Sequence, residues 1–140
     1  VSNITKEEID AMFKTLAATG KTIRITELDV RINYEATANP TIAQQQKQAD
    51  IYRMVIESYK TNIPKAQQSG ITLWGLSDHA DEHTYWFTGD TPNIFDANYA
   101  RKVAYKGVCD GIAGRDISED FTGDDWTNAY KSEETETPAQ

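Results

Sequence analysis

Two short β-branched runs, residues 22–30 and 71–76, alternate with two helical patterns, and this alternation limits the fold more than any other feature. Helix and strand units joined by short connections make parallel strands with right-handed crossovers, the α/β class. Two parallel strands alone leave both sheet edges open and cannot build the layered architecture that such a pattern implies. The chain therefore reads as a piece of something larger.

The punctuation between these elements is explicit. Thr5-Lys-Glu-Glu8 is a capping box, in which the Thr5 hydroxyl accepts from the Glu8 amide while the Glu8 carboxylate reaches back. Ile9, Met12, Phe13 and Leu16 follow at helical spacing and Gly20 supplies a stop, which predicts a helix over 5–18. Thr41 with Gln44 repeats the capping logic and opens a long helix to about residue 61. Its stripe is Ile42, Ala49, Tyr52, Val55, Ile56 and Tyr59. Pro64 permits only a break or a fresh turn before Gly70. The run Ile71-Thr-Leu-Trp-Gly-Leu76 is almost continuously apolar, as expected of a parallel strand buried on both faces. Residues 77–97 read as one long loop. A last helix is expected from Ala97 to Ile112, with Tyr99, Val103, Val108 and Ile112 available to a core. Residues 1–114 form the packed unit in this reading. Residues 115–140 form an acidic tail or linker with Phe121, Trp126 and Tyr130 as its anchors.

Composition excludes whole classes of partner. Fourteen basic against 22 acidic residues give a net charge of −8 and a pI near 4.7, which repels phosphate backbones and anionic lipid surfaces. Nucleic acid and membrane are not expected partners. The lone Cys109 cannot form an internal disulfide and has no metal-ligand spacing with His79 or His83. The chain starts at Val1, which reads as a processed or excised end.

The candidate chemistry lies where the first strand finishes. In Ile23-Arg-Ile-Thr-Glu-Leu-Asp-Val-Arg-Ile32, strict alternation puts Ile23, Ile25, Glu27 and Asp29 on one face and Arg24, Thr26 and Leu28 on the other. Acids at the C-terminal end of a barrel strand read as catalytic, whereas elsewhere they are a solvated strand end. Asp29 lies about 6.5–7 Å beyond Glu27 along an ideal strand. It is either a supporting group for Glu27 or an ion-pair partner of Arg31 or Arg24.

Three segments, Ile25-Thr-Glu-Leu-Asp29, Gly70-Ile-Thr-Leu-Trp-Gly-Leu-Ser-Asp78 and Ile94-Phe-Asp-Ala-Asn-Tyr99 through Ala104-Tyr105, together resemble the C-terminal part of family 10 glycoside hydrolases, the endo-β-1,4-xylanases. The resemblance covers about Ile4 to Ile112. It implies a (β/α)8 TIM barrel of which this chain holds about strands 7 and 8 with helices 6 to 8. It also implies a retaining double displacement on xylan with Glu27 as nucleophile and Asp29 in support. Such a mechanism needs a second carboxyl about 5–5.5 Å away as general acid and base. The family carries that acid in an Asn-Glu pair on its fourth strand, and no such pair occurs in these 140 residues.

The same resemblance makes Trp74 and Trp86 walls of the subsites around the reacting sugar, whose flat C–H faces suit an indole. Read from its strand alone, Trp74 is equally a core residue. The segment His79-Ala-Asp-Glu-His-Thr-Tyr85 between Asp78 and Trp86 is longer than the family's Asp-x-x-Ser-Trp-Arg, and Phe87 replaces its Arg. Asp78, His79, Asp81, Glu82 and His83 read as a solvated acidic lip, not a metal site, and His83 or Tyr85 as a possible sugar-hydroxyl contact. No cofactor or metal is expected. The implied partners are xylan or xylo-oligosaccharide and the N-terminal remainder of the barrel, supplied by the same gene product or by a separate chain. The implied location is secreted or periplasmic. The competing reading is a non-catalytic carbohydrate-binding or structural fragment of such a barrel.

Overall fold

The structure, a computed structural model, describes residues 3–32, 40–83 and 89–118. Helix α1 (Lys6–Ala17) leads into strand β1 (Ile23–Leu28), helix α2 (Ile42–Asn62) and a 3-10 turn (Lys65–Gln67). Strand β2 (Gln68–Leu73), a short helix α3 (Ala80–His83) and helix α4 (Val103–Ala113) complete the described order. The two strands pair in parallel. Both capping boxes form as expected: the Glu8 amide donates to Thr5 Oγ1 at 3.3 Å and the Gln44 amide to Thr41 Oγ1 at 3.2 Å. Pro64 sits directly before the 3-10 turn, which takes the place of a longer helix.

Two differences from the sequence reading concern the second half. The last helix starts at Val103, not near Ala97. Asp96 Oδ1 accepts from the amides of Asn98 and Ala100 at 2.8 and 2.9 Å, and the Asp96 amide donates to Ala100 O at 2.9 Å. This tight turn places Tyr99 in the left-handed region at φ 62°, which an α-helix cannot contain. Tyr99 and Ile112 are consequently exposed, while Val103 and Val108 are buried. Residues 77–97 are also more organised than a single loop, since α3 lies within them and Phe95 bridges both Ser77 and Arg101.

The apolar residues gather on the helix side of the sheet. Ile23 and Ile25 pack against Ile9, Phe13, Tyr59 and Ile63, whereas Leu28 and Val30 join Tyr52, Ile56, Ile94, Ala104 and Val108. Ile71 belongs to both groups and Leu73 to the second. Strand β2 is nonetheless only partly buried, and Trp74 and Leu76 beyond it are exposed at 44% and 54%. Burial on both faces, expected from the sequence, is not realised because, among the described residues, helices cover one face only.

An irregular start of the sheet is stitched by one phenol. From Ile23 to Arg24, β1 advances one residue while β2 advances from Gln68 to Gly70. The extra residue leaves amides outside the ladder, and those of Ser69 and Gly70 donate to the Tyr59 hydroxyl at 3.0 and 3.1 Å. That hydroxyl donates in turn to Ile23 O at 2.7 Å.

Helices α2 and α4 touch through glycine. A Cβ on Gly107 would lie 2.2 Å from Ala49 O, and one on Gly111 would lie 2.9 Å from Ile56 Cβ. Gly107→Ala forces the backbones apart, and urea unfolding is expected to show a loss of about 1–3 kcal/mol. Helices α1 and α2 are joined at Asp10, which accepts from Lys6 Nζ at 2.5 Å, from Ser58 Oγ and from Asn62 Nδ2 at 2.8 Å. These donors, Lys6 foremost, hold the Asp10 carboxyl down to about 2 from its ordinary 3.8. A depressed carboxylate stabilises the fold above its unfolded value and loses that contribution as pH falls through the folded one. Asp10→Asn should therefore lower Tm at neutral pH, with the gap to the parent closing as pH falls toward about 2.

Candidate active site

A second irregularity in the sheet decides where the acids point. Between the paired positions Ile25↔Ile71 and Leu28↔Leu73, β1 advances three residues while β2 advances two. One extra residue in β1 re-phases its alternation. Ile23 and Ile25 before it and Leu28 and Val30 after it all face the helices. Glu27, exposed, therefore faces the opposite, open side of the sheet. The strict alternation read from the sequence, which put Glu27 and Asp29 on the face of Ile23 and Ile25, is corrected at Glu27 by this bulge. On the same open face Arg24 Nη2 donates to Thr72 Oγ1 at 2.8 Å. Trp74, two residues after Thr72, is held in register by its amide, which donates to Leu28 O at 3.0 Å.

Glu27 is exposed and Asp29 is half-buried. Asp29 also lines a pocket of about 230 Å³ with Ile4, Leu28, Val30, Arg31, Ile51 and Val55. Burial raises the Asp29 carboxyl above its ordinary value, Arg31 pulls it down, and Asp90 and Glu27 push it further up. The cations named as its partners are bonded elsewhere: Arg31 Nε donates to Asp90 Oδ2 at 2.8 Å, and Arg24 bonds Thr72.

The ends of the two strands are locked to each other by buried polar groups. Asp90, 1% exposed, accepts the Ile32 amide at 3.1 Å and the Thr91 amide at 2.8 Å as well as Arg31. From α2, Gln48 Nε2 donates to Val30 O and Thr91 O at 2.7 and 2.8 Å, and Tyr52 Oη donates to Pro92 O at 2.7 Å. From the start of α4, Lys102 Nζ donates to Asp78 Oδ2 at 2.5 Å, Asn93 O at 2.7 Å and Thr91 O at 2.8 Å. Asp78 Oδ1 accepts the Asn93 amide at 2.8 Å. Burial pulls the Lys102 ammonium below its ordinary value, against the opposing pull of Asp78.

Asp78 is thus no part of a solvated lip, as the sequence suggested, because its carboxylate is spent inside the fold. Glu82 accepts the Ser77 amide at 2.9 Å, and His79 stacks on Tyr99 with centroids 5.7 Å apart. Among the described residues no three His, Cys, Asp or Glu side chains stand together as a metal site. Trp86, Tyr85, residues 33–39, and Phe121, Trp126 and Tyr130 lie outside the described residues, and the side chain of His83 is not described. Sequence reasoning missed Gln48, Asp90 and Lys102. Gln48 carried a signal, since it lies on the stripe of Tyr52 and Ile56 at four-residue spacing, where a polar group must find buried partners.

Comparisons with known proteins agree on one family. The model of Glycosyl hydrolase family 10 matches residues 1–111. Endo-beta-1,4-xylanase Xyn10C of Cellvibrio japonicus is 33% identical over 126 residues, covering 76% of this chain and 20% of the relative. Endo-1,4-beta-xylanase A of Cellvibrio japonicus (strain Ueda107) is 31% identical over 106 residues, covering 66% of this chain and 17% of the relative. Among solved structures, a thermostable mutant of a xylanase (Xyn10A) from Cellvibrio japonicus matches with a TM-score of 0.68 at 27% identity, over 81% of this chain and 37% of that one. A mutant of xylanase 10C from the same organism, in complex with xylopentaose, matches with a TM-score of 0.68 at 30% identity over 81% of this chain and 25% of that one. The chain thus spans about a fifth or less of the two curated relatives' length.

The Asp78–Lys102 pair is the most buried charge contact described here, with side chains 3% and 8% exposed. Lys102→Met leaves the carboxylate buried without its cation, and chemical denaturation should record a loss of about 3–5 kcal/mol.

Proposed function

Since the chain belongs to glycosyl hydrolase family 10, a family of (β/α)8 barrels, we propose that it is the C-terminal portion of a retaining endo-β-1,4-xylanase barrel, holding about strands 7 and 8 with helices 6 to 8. In this reading β1 is the seventh strand and β2 the eighth. The observation that carries it is the bulge of β1, which turns Glu27 to the open face at the C-terminal end of the strand, next to Trp74 at the end of β2. Barrel enzymes place their chemistry at that end.

Glu27 attacks the anomeric carbon of a xylosyl unit and forms the glycosyl-enzyme ester, which water then cleaves. Its exposure suits a group that must be ionised and reachable. Asp29 supports Glu27 from two residues on. Trp74, 44% exposed, offers an apolar wall to the flat face of the sugar, and Trp86 is proposed as a second such wall. The general acid and base comes from the remainder of the barrel. Asp78, the acid at the end of the neighbouring strand, is closed off by Lys102 and cannot take that part. The remainder would belong to the same gene product or to a separate chain, and the substrate would be xylan or xylo-oligosaccharide outside the cell.

The test is Glu27→Gln in the complete barrel, assayed on xylan. A nucleophile loss should lower kcat by about ten-thousandfold or more, with little change in the KD for xylo-oligosaccharide. Full hydrolysis by the variant would overturn the assignment. Intact binding together with an inactive parent would favour the carbohydrate-binding reading.

A further inference from the structure

Arg24 stands on the open face of the sheet, in the part of β1 that precedes the bulge. Its neighbours in the strand, Ile23 and Ile25, pack against α1 and α2, and Ile71 and Leu73 of β2 pack on the same side. Arg24 is exposed on the other side, where its Nη2 donates to Thr72 Oγ1 at 2.8 Å. The register sets the direction of this side chain. The Arg24 Cα pairs with that of Gly70, yet the guanidinium reaches Thr72, two residues or about 6.6 Å further toward the C-terminal ends of the strands. Gly70 has no side chain to stand in its way. The guanidinium thus leans up the sheet, toward the end that carries Glu27 and Trp74 and away from the N-terminal rim.

In a closed (β/α)8 barrel the helices form the outer ring and the other face of the sheet lines the interior, which is a packed core and not a pore. A guanidinium enclosed there needs a counter-charge. Arginine is almost never fully buried unless paired, and it brings five N–H donors, of which the Thr72 hydroxyl takes one. Among the described residues no carboxylate pairs with Arg24, and the Thr72 bond is its one side-chain hydrogen bond. Glu27, three residues further along the strand, is committed to substrate in the proposed function. We infer that Arg24 is the docking point for a carboxylate carried by the remainder of the barrel: an aspartate or glutamate on one of the enclosing strands, facing inward in the layer beneath Glu27, meets this guanidinium and fixes how the two portions come together. The inference rests on the reading of this chain as the C-terminal portion of a barrel.

The crystal structure of the complete barrel tests this directly. A carboxylate oxygen of the remainder is expected about 2.8 Å from a guanidinium nitrogen of Arg24. A closed barrel in which the guanidinium meets only water, neutral acceptors or Glu27 would overturn the inference alone. An open face of β1 and β2 that is not enclosed would overturn the barrel reading and the inference with it. The energetic test is a double-mutant cycle on Arg24 and the acid so found, followed by urea unfolding at pH 7. Arg24→Met leaves the acid enclosed and unpaired and should lower the urea midpoint. Replacing the acid by its amide in the same molecule should restore part of that loss, so that the two changes together cost less than their sum. Additive losses would contradict the pairing. Should Arg24→Met fail to fold, the cycle is run with Arg24→Gln and read in the same way. Hydrolysis of xylan by the parent barrel judges the Glu27 reading separately, since an inactive barrel that shows the pair counts against that reading alone.

Discussion

One extra residue in β1, between Ile25 and Leu28, is the constraint on which the arrangement turns. A strand that kept strict alternation from Ile23 would send Glu27 and Asp29 into the apolar layer formed by α1, α2 and α4, where unpaired carboxylates are costly. The bulge lets the strand stay apolar toward the helices on both sides of the irregularity while Glu27 emerges on the far face. Bulges often re-aim side chains next to active sites. Here the consequence reaches β2 as well, because Leu73 pairs with Leu28 and thereby fixes the register of Trp74 beside the acids.

The bulge could not hold that aim if the strand ends were free. Residues 90–93 are fastened to the end of β1 by Gln48, Tyr52, Asp90 and Arg31, and to the start of α4 by Lys102. These contacts come from helix, strand and loop, so the exit of one strand cannot shift without the exit of the other. A polar network of this kind specifies geometry more than it adds stability, because each member must satisfy its neighbours after desolvation. The helix side is held by different physics, with Gly107 and Gly111 letting α4 approach α2 closely enough for backbone contact.

Much of this was legible in the residues. The two capping boxes at Thr5 and Thr41, the helices behind them and the parallel strands follow from local chemistry that acts within a few positions. The family was carried by three motifs. The face of Glu27 was not legible, because a bulge depends on the partner strand's register, and Ile25-Thr-Glu-Leu does not announce it. The start of α4 was misjudged because Tyr99 and Val103 keep helical spacing across an Asp96 turn that breaks the helix. Asp78 looked solvated because its partner, Lys102, is distant in sequence. The bulge and the Asp78–Lys102 pair are contacts between segments, where periodicity has nothing to say, whereas the Asp96 turn is local and lies under an unbroken helical spacing.

As the proposed nucleophile, Glu27 is the group expected to become covalently glycosylated. The most direct measurement is peptide mass spectrometry of the complete barrel after inactivation with a 2-deoxy-2-fluoro-xylobioside bearing an activated leaving group, which forms the glycosyl-enzyme ester and hydrolyses slowly. A single fluoroxylobiosyl adduct is expected on the peptide containing Glu27, localised to that carboxyl. An adduct on Asp29 or on any other carboxylate, or an active enzyme that accumulates none, would contradict it.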